Sequence, residues 1–163
     1  MTTESIRTER LELSPLQPAA AAALPEQRAA AEDIIGAKLS PGWPQPDLLK
    51  ILPRQATTAP EAAGYGIWVM IEPDPRIVVG DLGFHGPPDD GVVEIGYAVV
   101  SDRRRRGYAT EAARALIDWA LRQPGVAEIV AGCEETNEAS ITTLQRLGFS
   151  RTGQNGGEVR WRQ

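Results

Sequence analysis

The chain is poor in the side chains that thiol and metal chemistry need. It has one cysteine, Cys133, and one histidine, His85. A lone cysteine excludes a disulfide framework within the chain. No Cys/His ligand cluster exists to hold a zinc ion, so no metal is expected. No run approaches the ~20 apolar residues that span a bilayer, so no membrane role is expected. The opening MTTESIRTER is polar and lacks the apolar stretch of a secretory signal, and a cytoplasmic location is the expectation. Two phosphate loops are also missing. There is no Gly-x-x-x-x-Gly-Lys-Ser/Thr, which argues against a P-loop NTPase. There is no Gly-x-Gly-x-x-Gly after the first strand, which argues against a dinucleotide fold.

What remains is an ordinary globular composition: 163 residues, 42% apolar and 24% charged. That length predicts one domain, residues 1–163, with a real hydrophobic core. The net charge is −5, a poor balance for a general polyanion binder. The one basic cluster, Arg103-Arg104-Arg105-Arg106, then stands out as a local anion site. No aromatic residues are interleaved with it, so nucleic acid is not the expected partner.

Periodicity and turn residues set the elements. The first part, to about Gly64, is rich in Ala and Pro. Here Leu11–Leu16 predicts a short strand, and Pro18–Leu24 and Glu26–Ile35 short helices. Pro25 sits in the first turn of the second helix and Gly36 ends it. Residues 40–47 form a proline-rich loop whose one large apolar side chain, Trp43, either plugs the core or walls a substrate pocket. Asp47 is placed to cap a helix over Leu48–Leu52, with loop from Arg54 to Gly64. Then Gly66–Glu72, Arg76–Phe84 and Val92–Val100 read as an antiparallel meander joined by tight turns. A helix over Gly107–Arg122 follows, its apolar face built from Ala109, Ala112, Ala113, Leu116, Trp119 and Ala120. Next come a strand over Val126–Ala131, a helix over Asn137–Leu147, and a closing strand pair that turns at Asn155-Gly156-Gly157. The order predicts an α/β fold (mixed, α+β-like), a mostly antiparallel twisted sheet of about six to seven strands with helices on both faces.

The informative segment is EIGYAVVSDRRRRGYATEA, Glu94–Ala112. A strand ends, a basic turn follows and a helix opens at Gly107. The first N–H groups of a helix have no internal partner, and with the helix dipole they attract anions. Gly107 lets backbone approach a phosphate and Ala109 keeps the next turn narrow. Arg105 and Arg106 add charge, and a pyrophosphate fits there. The alternative is a solvated charge run.

Arg104-Arg105-Arg106-Gly107-Tyr108-Ala109 matches Gln/Arg-x-x-Gly-x-Gly/Ala, and so resembles the coenzyme A loop of the GNAT N-acetyltransferases. Asn137, Ser140 and Leu147-Gly148-Phe149 resemble that family's second coenzyme A motif. Thr8-Glu9-Arg10-Leu11-Glu12-Leu13 resembles the opening strand of its ribosomal-protein N-acetyltransferase (RimJ/RimL-like) branch. The resemblance implies acetyl-CoA as co-substrate and direct transfer to a primary amine on a protein N-terminus or a small molecule. It implies central strands splayed apart, with the pantetheine arm between Val92–Val100 and Val126–Ala131. It implies cofactor contacts from Tyr97, Val99 and Val100, and from Arg104 through Thr110, with Asn137 and Ser140 beyond. Dimers are common in the family, so a homodimer is a further expectation. The alternative function is a non-catalytic acyl-CoA-binding regulatory module.

Single residues carry paired readings. Glu94, beside the acetyl site, is the expected proton acceptor, or else the partner of an Arg. Asp81 on the neighbouring strand is the second candidate, or a strand-edge hydrogen-bonding residue. His85 is a loop residue or lines the amine site. Asn137 and Ser140 are ligand contacts or a helix cap pair. Cys133 is inert packing. The sequence departs from the family twice. Leu144 stands where many members carry a Tyr that protonates the leaving thiolate, and Gly132 stands where related chains often carry an acid.

Overall fold

The computed structural model describes residues 3–57 and 59–163. Its elements are β1 (Ile6–Arg7), β2 (Glu12–Pro15), α1 (Pro18–Ala23), α2 (Arg28–Ile35), β3 (Lys38–Leu39) and α3 (Pro46–Ala56). A 3-10 turn, Pro60–Tyr65, leads to β4 (Ile67–Pro73), β5 (Arg76–Phe84) and β6 (Val92–Val99). A second 3-10 turn, Ser101–Arg103, precedes α4 (Tyr108–Leu121), β7 (Glu128–Glu134), α5 (Glu138–Arg146), β8 (Ser150–Asn155) and β9 (Glu158–Arg162). The strands form one nine-stranded sheet in the order β1-β2-β4-β5-β6-β7-β9-β8, with β3 parallel to β5. Seven of these strands have four residues or more; β1 and β3 are two-residue additions. All other pairings are antiparallel except β6–β7.

Five consecutive residues of β4, Ile67–Ile71, are buried. A strand buried on both sides needs cover on both faces, and the neighbours supply it. Trp68 pairs with Leu82 and Leu82 with Tyr97, so these three side chains share a face. On that face Trp119 of α4 meets Trp68 at 5.4 Å, Tyr65 at 5.5 Å and Phe84 at 6.3 Å between ring centroids. Val69, Asp81 and Ala98 share the opposite face, where Trp43 donates its indole N–H to Asp81. Gln55 of α3 joins helix to sheet: its side chain accepts from the Ile67 N–H and donates to the Leu16 carbonyl. α4 buries Ala112, Ala113, Leu116, Ile117 and Ala120, the stripe its spacing predicts.

Several boundaries move. The first strand is shorter than Leu11–Leu16, and Pro25 lies in the turn before α2 rather than in its first turn. Asp47 does not cap α3, which starts at Pro46 and runs on to Ala56 through Pro53. Pro53 removes one bond, to the carbonyl of residue 49, and Leu49 is exposed, so water can satisfy that oxygen. Leu48, Leu52 and Gln55 form the buried stripe that holds this helix. β7 begins at Glu128 instead of Val126 because the N–H groups of Ala127 and Glu128 are held in a turn by the Gly91 carbonyl. It then continues to Glu134 along β9.

The site depends on where β6 and β7 part. Their parallel pairing covers only Val92–Glu94 against Glu128–Val130. From Val130 on, β7 pairs with β9, while β6 keeps β5 on its other edge up to Val99. The sheet is therefore open along one edge of β6 beyond Glu94.

Gly83 sets the close approach of β4 to β5. A Cβ there would lie 2.1 Å from the Gly66 carbonyl oxygen, a backbone atom that cannot swing away. Gly83→Ala is expected to lower stability by about 1–3 kcal/mol, the usual cost of overpacking. Urea denaturation measures it; unchanged stability would mean that the strands tolerate a shift there.

Candidate active site

The antiparallel ladder decides which amides face the opening. In such a ladder alternate residues point their N–H and C=O to the same neighbour. The Val100 N–H donates to Val79 and the His85 N–H donates to the Glu94 carbonyl. In register, the even-numbered residues of β6 bond to β5, and Tyr97 and Val99 turn their amides to the open edge. Their N–H groups are thus available there. Val100 is a correction to the expected contacts: its N–H is held by Val79 and its carbonyl accepts from the Arg103 N–H.

The basic turn lies just past this edge. Its backbone enters the left-handed region at Arg105, φ 64°, and at Gly107, φ 79°. No side chain caps α4, so its first amides, from Tyr108 on, stay open. Arg105 and Arg106 are exposed. Arg104 turns back, its Nε donating to the Val99 carbonyl at 3.0 Å, so it braces the strand end. Gly107 and Thr110 border a groove of about 490 Å³ along the outer side of α4, which also reaches Arg7, Arg114 and Arg146. Ala109 packs against the core. The Tyr108 ring is buried and its hydroxyl donates to Glu72 at 2.6 Å.

Sequence reasoning missed the clasp that holds this turn. Glu111 in the first turn of α4 accepts from the Arg10 N–H at 2.8 Å and the Arg10 Nε at 2.7 Å, and from the Thr8 hydroxyl. The Arg10 guanidinium lies 4.8 Å from the Tyr108 ring centroid, in cation–π range. Glu72 receives both Tyr108 and Arg103. Burial alone would raise the Glu111 carboxyl, but the bonds from Thr8 and Arg10 outweigh it and leave it below its ordinary value. The expected opening strand over Thr8–Leu13 holds only at Glu12 and Leu13, since Thr8–Leu11 turn between β1 and β2, and nothing local shows that this Thr and Arg grip a helix about 100 residues later.

On the far side of the opening, Asn137 caps α5, its Oδ1 accepting from the Ser140 N–H at 3.1 Å. The cap reading holds for this pair of atoms. The Ser140 hydroxyl lies 2.9 Å from the Tyr97 hydroxyl, so Tyr97 and Ser140 span β6 and α5. Leu144 is buried and offers no proton. Cys133 is buried as packing.

The opposite face carries a row of polar groups. Glu94 is bound by Arg160 at 2.9 Å and by His85 Nδ1 at 3.2 Å. Burial pushes its carboxyl up, but the Arg160 bond and the charges of His85 and Arg160 outweigh that and lower it. The lowered value makes Glu94 a weaker base than expected and gives it the alternative role, partner of an Arg. Gly132 explains how: a Cβ there would lie 2.6 Å from Arg160 Nη1, so the missing side chain is the space through which Arg160 reaches Glu94. Asp81 differs. Burial raises it to about 6, opposed by the hydrogen bond from Trp43 at 2.9 Å. Trp43 itself is buried, as the core-plug reading has it. Among the described residues no group of three or more His, Cys, Asp or Glu is placed to hold a metal.

Residues 10–150 match the model of the acetyltransferase (GNAT) domain. The chain belongs to the GNAT acetyltransferase family. It is an acyl-CoA-dependent acetyltransferase by that membership. One relative is the Bacillus subtilis (strain 168) protein described as the uncharacterized N-acetyltransferase YjdG, 35% identical over 148 residues and 88% of each chain. The fold is shared with the ribosomal-protein-S5-alanine acetyltransferase of Vibrio fischeri, at 16% identity and TM-score 0.71, covering 99% of this chain and 96% of that one. It is shared too with RimL, a ribosomal L7/L12 alpha-N-protein acetyltransferase solved with coenzyme A, at 20% identity and TM-score 0.71 over 98% and 97% of the chains.

The clasp gives this GNAT enzyme an acid-sensitive element. The folded pKa of Glu111 lies below the unfolded one, so its stabilisation is full above the unfolded value and is lost as pH falls through the folded one. Glu111→Gln should flatten the fall in stability of the wild type between pH 7 and pH 3. Denaturation curves across that range check it, and parallel curves would remove the clasp from the account.

Proposed function

We propose that this enzyme moves the acetyl group of acetyl-CoA directly to a primary amine, within a ternary complex. The observation that carries the reading is the open edge of β6 running into an uncapped helix start. The edge offers the Tyr97 and Val99 amides, and the basic turn sits at its end. A pyrophosphate on the first amides of α4 would place the pantetheine arm along that edge. The same amides suit the oxyanion that forms when an amine attacks a thioester. Most of the rate would come from holding donor and acceptor in register.

The amine must lose a proton to attack. An α-amino group, with an ordinary pKa near 7.7–8.0, asks less of a base than a lysine near 10.4. The ribosomal-protein acetyltransferases among the structural neighbours add weight to a protein N-terminus as acceptor. A small-molecule amine satisfies the same chemistry. Leu144 offers no proton to the leaving thiolate, and a thiol pKa of about 8.5 lets it leave unprotonated or take a proton from the reacting amine or water.

Two variants test the donor site. Gly107→Val should fold but lose acetyl-CoA binding, because it fills the approach to the pyrophosphate and forces a branched residue to φ 79°. Calorimetric titration decides it, and unchanged affinity in a folded variant would remove the phosphate-loop assignment. Arg106→Ala should weaken acetyl-CoA and dephospho-CoA alike, by about 1–3 kcal/mol for a charge-assisted hydrogen bond. Dephospho-CoA affinity that ignores the mutation would move Arg106 to the 3′-phosphate.

A further inference from the structure

Glu94 is held by Arg160, and the same face of the sheet carries a second carboxylate in a distinct setting. Asp81 stands directly across from Ala98, between the two residues whose amides face the opening. One strand spacing, about 4.8 Å, separates β5 from β6. On this face β6 places only the small Gly96 and Ala98 between Asp81 and Glu94, with the His85 imidazole over Gly96 and the Gln45 side chain reaching the Val99 carbonyl at the open edge. Asp81 is closely surrounded by protein yet keeps partial solvent access. Its partner is not a cation but the neutral indole N–H of the fully buried Trp43.

We propose that Asp81 is the proton acceptor for the amine substrate and that Trp43 sets its basicity; this rests on the amine-acetylation reading above. An ammonium ion entering from this face gives one proton to the Asp81 carboxylate and becomes a neutral amine. Its lone pair forms the C–N bond at the thioester carbonyl, and the C–S pair leaves with sulfur. The second proton lost by the nitrogen goes to the thiolate, and Asp81 releases its own to solvent. A carboxylate that titrates near 6 is close to the working range of a general base, whereas one held low by an arginine is not. The charged groups that bear on Asp81 are few. Arg28 of α2 holds the carbonyls of Trp43 and Ser40, and His85, Glu94 and Arg160 lie further along the same face.

The test follows acetyl transfer to a serine-starting peptide and to spermidine between pH 5 and 9, with acetyl-CoA affinity measured beside it. Asp81→Asn should bind acetyl-CoA within twofold of wild type, lose kcat by roughly 10²–10⁴, and lose the acidic limb of the pH profile. Trp43→Phe removes the bond that lowers the Asp81 pKa, so that limb should move to higher pH. Glu94→Gln should keep it. Asp81→Asn turnover near wild type, with the limb lost in Glu94→Gln instead, would overturn the proposal. If the wild type acetylates neither probe, the amine reading fails first. Asp81 is then judged by the Trp43 indole resonance in NMR. A midpoint near pH 6 that vanishes in Asp81→Asn supports the pair, and a flat titration refutes it.

Discussion

The parting of β6 and β7 after three paired residues is the constraint on which the rest of the structure depends. A strand edge left unpaired inside a protein strands backbone N–H and C=O groups, and each costs about 1–3 kcal/mol if nothing satisfies it. The fold limits that cost by dividing β6 lengthwise. Its even-numbered residues are bonded to β5, and the open edge is reduced to a few amides. The Val99 carbonyl at that edge is answered by Arg104 and Gln45, which leaves the Tyr97 and Val99 N–H groups as the donors awaiting a ligand. β7 keeps β9 on its far edge through Glu134, so the opening lies between two strands that are each paired on one side only.

Around that opening the charges are arranged by location. The basic turn keeps Arg105 and Arg106 exposed, while Arg103, Arg10 and Tyr108 are tied to Glu72 and Glu111. These ties hold the turn from two sides, the N-terminal segment and the end of β4, so the loop need not order itself when the donor arrives. Across the sheet the carboxylates have divergent environments. Glu94 shares Arg160 with Glu158, and Asp81 has burial and an indole. The two environments push the carboxyls apart, Glu94 down and Asp81 up, which is the basis of the proposed division of roles.

Much of this was legible from sequence because it is local. The strand, basic turn and helix of Glu94–Ala112 lie within one contiguous segment, and the apolar periodicity of α4 and the turn glycines follow from it. The meander was legible for the same reason. What escaped was contact across long separations. Arg160 reaches Glu94 across 66 residues, Trp43 reaches Asp81 across 38, and Arg10 reaches Glu111 across 101. No spacing rule encodes such pairs, so the sequence left Glu94 between proton acceptor and partner of an unnamed Arg, and Gly132 looked like a missing acid instead of the space for Arg160. Helix α3 was cut short in the sequence reading because Pro53 is a strong local breaker, and its buried stripe overrides that signal.

The central claim is that the open edge of β6 receives the donor thioester. Amide hydrogen exchange, resolved by residue in the free enzyme and with acetyl-CoA, tests it most directly. Ala98 bonds to β5 in either state and should exchange slowly throughout. The Tyr97 and Val99 amides should exchange faster in the free enzyme and become protected when acetyl-CoA binds, together with the first amides of α4. Protection of α4 with no change at Tyr97 and Val99 would contradict the account, because the donor would then sit on the phosphate turn without entering the opening.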